Sequence, residues 1–295
     1  MLREACGALL FLVLTATVGM AQPQGGFLDV FVTRVKPEKR AAFDAINKKF
    51  VDANRRHKGD TWLALETAYG EQNTVIFSSL RESYGDVEKS SAVFEGALVK
   101  AFGEAGSGAL FQEFNNTLES SRTEIRLRRW DLSYNPPADR DAYIQAIGKS
   151  RWIRSVIVRV RPGHTSEFET GLKEINDAAQ RSNMAGMRWV SMVTAGGNIT
   201  TYHITRLMAS LAELDQAPSM LKMLGEEGLQ RYEKLNAEAV ASTEVVLYRI
   251  LPELSNPPAE VVAVAPDFWS PKPKAAASPK PKAAEAGKPT ANPNP

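Results

Sequence analysis

Along residues 27–132 the period of the apolar positions changes several times, and each change marks an element. Phe27 to Val35 is apolar and β-branched, which predicts a strand. Pro37 then opens a helix at a position where its missing N–H carries no penalty. Phe43, Ile46, Phe50 and Ala53 fall on one helix face. Arg55, Arg56, His57 and Lys58 occupy the last turn, where cations suit the dipole, and Gly59 is the expected C-cap. Trp62 to Tyr69 and Thr74 to Leu80 read as strands, joined by a hairpin turn at Gly70-Glu71-Gln72-Asn73. A helical region over Val87 to Ser120, broken near Gly103–Gly108, and a strand over Thr123 to Leu132 complete the run.

The same pattern is then written again. Arg34-Val35-Lys36-Pro37 recurs as Arg159-Val160-Arg161-Pro162, and Phe43 matches Phe168 at the same offset. Trp62-Leu63-Ala64-Leu65 matches Trp189-Val190-Ser191-Met192, and Thr67-Ala68-Tyr69-Gly70 matches Thr194-Ala195-Gly196-Gly197. Thr123 to Leu127 matches Thr243 to Leu247, and Asn135-Pro136-Pro137 matches Asn256-Pro257-Pro258. The order is kept, so an internal repeat of about 105–110 residues, one small domain, is expected. The second copy carries Val156 to Val160, then Phe168, Leu172, Ile175 and Ala179 at helical spacing, with Ser166 and Glu169 spaced as a capping box. Its turn falls at Gly196-Gly197-Asn198, its second helical region at Leu211 to Ala241 and its last strand at Thr243 to Leu251.

Each copy therefore predicts β-α-β-β-α-β, the ferredoxin-like unit. A lone unit leaves one sheet face wet. Here strand one carries Phe31 and Val35 on one side and Val30 and Val32 on the other, and strand three sets Val75 and Phe77 against Ile76. Apolar residues on both sides require both faces to be buried. The expected fold is α+β: two tandem units packed sheet to sheet as an internal pseudo-dimeric mixed α/β barrel. Its expected domains are 22–135 and 151–258, joined by a linker at 136–150.

A strand ending Arg159-Val160-Arg161-Pro162-Gly163, followed by a helix with Glu167-Phe168-Glu169, resembles the dimeric α/β-barrel superfamily. Val156 to Ile175 carries the resemblance to its antibiotic-biosynthesis-monooxygenase-like group and, less clearly, to NIPSNAP-like proteins. The resemblance implies a fold for residues 27–258 and a choice of roles, among them cofactor-independent oxygenases and haem proteins. A fold of this kind hosts unrelated chemistries and does not choose between them. Oxygenases of this group often set an Asn against the cavity, and strand one here has none.

Residues 1–21 read as a secretory signal peptide: Arg3, the apolar run Gly7 to Val18, and Gly19-Met20-Ala21 before the expected cut. The rival reading is an uncleaved anchor. The expected address is secreted or periplasmic. Residues 259–295 are expected to form a disordered tail whose Lys/Pro/Ala character is plain from Pro266 onward. It alternates Pro271-Lys272-Pro273-Lys274 with alanines and has too little apolar content to order itself. Its net charge of +4 beyond Ser270 allows contact with an anionic cell envelope, against the plain reading of a solvated spacer.

Over 295 residues the net charge is only +2, which gives no electrostatic footprint for nucleic acid. One cysteine excludes a disulfide framework within the chain, and three scattered histidines make a metal site improbable, so none is assigned. No cofactor is indicated. Candidate catalytic residues are Trp189, Tyr202 and His203; candidate ligand-binding residues are Trp62, Arg34 and Arg159. Arg34 is expected near Glu124, and Arg159 near Glu244, as cavity-lining or sheet-edge pairs. Arg122, Arg126, Arg128 and Arg129 beside Trp130 are expected on a solvated strand face. The primary expectation is a non-catalytic protein binding a small apolar or amphipathic molecule between its sheets. The alternatives are an oxygenase or haem-linked enzyme, and an envelope-interaction protein acting through its tail.

Overall fold

The computed structural model describes residues 26–270. The signal-peptide expectation and the Lys/Pro-rich stretch from Pro271 lie outside the described residues. Four strands form in each half of the chain. The first half carries β1 (Phe27–Val35), β2 (Leu63–Tyr69), β3 (Thr74–Arg81) and β4 (Leu118–Arg128). The second carries β5 (Trp152–Val160), β6 (Trp189–Ala195), β7 (Thr201–Met208) and β8 (Val240–Ile250). They close in the order β1-β3-β2-β8-β5-β7-β6-β4. Every pairing is antiparallel, so the barrel is not mixed as expected. The seams between halves are β2–β8 and β4–β6, and closure leaves none of these eight strands with a free edge.

Strand alternation sorts the apolar residues into two layers. Val30, Val32, Leu65, Ile76, Leu207, Val246 and Ile250 share one cluster inside the barrel. Val35, Phe43, Phe50, Val75 and Leu98 share another beneath the first helix pair. That pair is α1 (Arg40–His57) packed on α2 (Tyr84–Asn116); in the second half α4 (Thr165–Arg181) packs on α5 (Met220–Ala239). Both long helices break at a glycine with positive φ, Gly103 at 73° and Gly225 at 71°. The first break lies where the glycine cluster predicted it.

Local capping differs from expectation at two places. The left-handed residue ending α1 is Lys58, at φ 53°, and Gly59 follows because a Cβ there would sit 2.1 Å from Asn54 Oδ1. Ser166 and Glu169 form no capping box, because α4 starts at Thr165 and Glu169 is turned to Arg129 and Tyr202.

The largest difference lies in the connections. The expected linker 136–150 contains a helix, α3 (Arg140–Lys149), capped by Asp139, which accepts from the Ala142 amide at 2.8 Å. The expected tail begins with two further helices, α6 (Ala259–Val264) and α7 (Pro266–Trp269). α3 packs against α6, and Ile147, Val261 and Trp269 join the barrel's inner cluster. Trp269, 1% exposed, donates from Nε1 to the Gly148 carbonyl at 3.0 Å. These segments are ordered because their few apolar side chains cover the open mouth of the barrel, a surface absent from any local window of sequence.

Candidate functional site

Under this helical cover lies a cavity of about 160 Å³ in the barrel lumen. Its wall is mostly apolar. Leu28, Val30, Leu65 and Ile76 come from the first half, Ile153, Leu207 and Tyr248 from the second, and Tyr143, Ile144 and Ile147 descend from α3. Ser155, Ser191, Thr205, Arg126 and Arg128 supply the polar part. At the rim Arg140 of α3 and Glu260 of α6 are ion-paired.

The arginines expected on a solvated face are divided instead by strand alternation. Arg129 turns outward to Asp131 and Glu169. Arg122, Arg126 and Arg128 share the other face with Glu124. Glu124, 6% exposed, accepts from Arg122 Nε at 2.8 Å and from Arg126 Nη2 at 2.6 Å. Burial opposes ionisation of Glu124, but Arg126 and Arg122 outweigh it and hold the carboxyl below its ordinary value.

Arg128 has no such partner. Among the described residues no carboxylate is paired with it, and its buried Nε lacks a hydrogen-bond acceptor. Its guanidinium lies 5.4 Å from the ring centroids of both Trp130 and Trp189. Burial pushes its pKa down, and the neighbouring Tyr143 hydroxyl opposes the shift. The rings supply cation–π attraction but no counter-charge.

The three candidate catalytic residues do not converge. His203 and Tyr202 are sequence neighbours on a strand and so face opposite sides of it. Tyr202 points into the helix layer, donates to Glu169 Oε1 at 2.6 Å and packs on Phe168. Its hydroxyl pKa is pushed up, first by burial and then by Glu169. His203, 5% exposed, sits in a pair with Ile157 on one side and Ser191 on the other. Burial, then Arg126 and Arg122, push its pKa well below the ordinary value, and no carboxylate among the described residues pairs with it. Trp189 is fully buried on the lumen side of β6, stacked on Tyr143. None of the three lines the cavity.

The expected equivalence of Trp62 and Trp189 is off by one residue. Leu65 opposes Ile250 and Ser191 opposes Arg128 at the two seams, so Leu63 is the counterpart of Trp189. A one-residue slip reverses the face. Trp62 therefore packs edge-on against Phe94 of α2, with its Nε1 donating to the Leu254 carbonyl at 2.8 Å, and reaches the cavity edge.

Both expected arginine–glutamate pairs are overturned. Arg34 lies opposite Ser120, four residues from Glu124, and pairs at the exposed barrel rim with Glu71 and Glu119. Arg159 lies opposite Ser242 and Thr201, exposed, while Glu244 lies opposite Ile157. Register places those strand ends two or more residues apart. Neither arginine lines the cavity.

Among the described residues no group of three or more His, Cys, Asp or Glu could hold a metal ion, and no helix is long and apolar enough to cross a membrane. The lumen does not fit haem either. The cavity is well below the roughly 300 Å³ at which ligand pockets usually begin, and His203 is not on its wall.

No protein-family model matches this chain, and no curated protein matches it. Solved structures do resemble it. An anthrone oxidase-like protein aligns over 77% of this chain and 92% of its own, at 14% identity and a TM-score of 0.48. A haem-binding protein from Thermus thermophilus aligns over 78% and 93%, at 12% identity and 0.45. Chlorite dismutase from Candidatus Nitrospira defluvii aligns over 83% and 96%, at 9% identity and 0.44. On this chain's own geometry the fold is α+β, a closed antiparallel barrel of eight strands with helices outside it. At these identities the likeness concerns architecture, and the chemistry has to come from this chain's own side chains.

Proposed function

We propose that this protein binds a small amphipathic anion in the barrel lumen, its apolar body against Val30, Ile76, Ile153 and Leu207 and its charged end on Arg128. The observation that carries the reading is an arginine on the wall of a mostly apolar cavity that has no carboxylate partner among the described residues and a buried Nε without an acceptor. A buried cation without a partner is unfavourable, and a carboxylate delivered by a ligand would offset that. Size narrows the class. A cavity of about 150 Å³ holds a benzene-sized molecule, so a compact aromatic or branched-chain carboxylate suits this one of about 160 Å³. The same reading takes the chain as two fused ferredoxin-like copies, supported by the matching registers at the two seams. It places the protein outside the cytoplasm on the leader pattern of residues 1–21.

Benzoate and toluene test the reading, since they share a ring and differ in charge. Calorimetric titration of the wild type should give binding to benzoate and at least tenfold weaker binding to toluene. Arg128→Met should reverse that preference. Equal response of wild type and variant to benzoate would overturn the assignment, as would absence of binding by either probe.

A further inference from the structure

A second arginine cluster lies outside the lumen and uses none of the residues assigned above. It stands out when the two halves are compared at matched register. In the first half Asp29 opposes Ser79 and Phe27 opposes Arg81. Arg81 is neutralised there by Asp60, with both contacts at 2.7 Å, and by Asp29 at 3.3 Å. One cation faces two carboxylates.

The corresponding positions of the second half invert the charge. Arg154 takes the place of Asp29 and opposes Arg206, which takes the place of Ser79. Gly186 stands where Asp60 stood, and Arg188 where Trp62 stood. Like charges directly opposite on a sheet repel. Yet none of the three arginines is ion-paired among the described residues. Arg206 Nη2 donates to the Glu213 carbonyl at 3.0 Å, and Arg188 Nη2 to Asn176 Oδ1 at 3.1 Å. The Glu213 carboxylate is itself turned to the Ala209 and Ser210 amides, at 2.8 and 3.3 Å. The Nε donors of Arg188 and Arg206 are buried and have no acceptor. Gly186, at φ 90°, lies against the Arg206 guanidinium: a Cβ there would sit 3.4 Å from Nη2. Arg188 is steadied over the Tyr134 ring at 5.4 Å. Burial, with the Arg206 charge adding to it, lowers the pKa of Arg154, and burial lowers that of Arg188.

We propose that Arg154, Arg188 and Arg206 form a binding site for a small phosphate-type oxyanion, free or as a monoester. The guanidinium fork matches such an anion, and two otherwise unaccepted donors gain partners when it binds. A dianion also relieves the repulsion between Arg154 and Arg206.

Thermal unfolding and calorimetry of the mature chain, titrated with inorganic phosphate against chloride at constant ionic strength, test the site. Saturable stabilisation by phosphate beyond chloride is expected. Arg154→Asp installs the carboxylate that the first half carries, so the fold is retained. It should lower phosphate affinity at least tenfold, while its phosphate-free Tm equals or exceeds that of the wild type. Arg206→Gln should lose the response as well, whereas Arg34→Gln and Arg128→Met should keep it. A wild type as indifferent to phosphate as to chloride would overturn the site, as would unchanged phosphate affinity in Arg154→Asp. Glycerol phosphate and phosphatidylglycerol vesicles separate the sources. Response to the monoester supports a free ligand, and Arg206-dependent vesicle binding without phosphate response overturns it.

Discussion

Tyr143 of α3 lies flat against Trp189 of β6, their ring centroids 5.3 Å apart and their planes 11° from parallel. Trp130 meets the same indole edge-on at 5.5 Å. This contact joins the segment between the two halves to the barrel wall and places Tyr143 beside Arg128. It explains why a stretch with few apolar residues is nonetheless ordered. Truncating the ring removes both the stack and the burial it provides. Tyr143→Ala should lower the free energy of unfolding by about 2–4 kcal/mol in urea denaturation. It should also enlarge the cavity, which a gain in binding of larger aromatic probes would register.

Glu124 is the sole carboxylate paired with Arg122 and Arg126 among the described residues. Glu124→Gln leaves two cations facing each other near the lumen, one of them mostly buried. The expected loss is about 3 kcal/mol, because breaking a buried pair strands a charge. The pH dependence follows from the depressed carboxyl pKa. Its contribution is complete above the unfolded value of 4.5 and is lost as pH falls through the lower folded value. Acid unfolding curves of the Gln variant should lack that component.

His203 titrates in the opposite chemical sense but gives the same direction of stability change. Its folded pKa lies well below 6.5, so between the two values the unfolded chain binds the extra proton. Stability should therefore be full above about pH 6.5 and decline as pH falls below it. His203→Leu should flatten that part of the profile. A wild-type stability that does not change between pH 7 and pH 5 would contradict the buried neutral imidazole.

Gly148 of α3 packs tightly against Val264 at the end of α6. A Cβ there would come 2.5 Å from Val264 Cβ. Alanine normally favours a helix over glycine by about 1 kcal/mol, but overpacking costs about 1–3 kcal/mol. The clash involves a branched side chain on a buried contact, so Gly148→Ala should be net destabilising. Limited proteolysis between Pro258 and Ser270 should accelerate in the variant.

Much of the fold was legible from period alone. Val30 and Val32 on one side of a strand, with Phe31 and Val35 on the other, already require two buried faces, and those residues do divide between lumen and helix layer. Phe43, Ile46 and Phe50 mark the buried face of α1 as their spacing predicts. The site was less legible. Arg126 and Arg128 alternate along β4 as surface charges do, and alternation does not say which face meets a lumen. Tyr143, Ile144 and Ile147 carried a weak helical signal behind Asp139, and that was the available clue to the cover.

The amino-acid order by itself determined the eight strands, the helices α1, α2, α4 and α5, and the two-sided burial of the strands, because these depend on periodicity within a few residues. Tertiary structure alone decided the registers: the slip that separates Trp62 from Trp189, the distance of Arg34 from Glu124, and the meeting of Arg154 with Arg206. Each is set by where strands far apart in the chain come to pair. A shift of one residue there reverses a side chain's face, and a shift of a few breaks an ion pair, while the local pattern of the sequence stays the same.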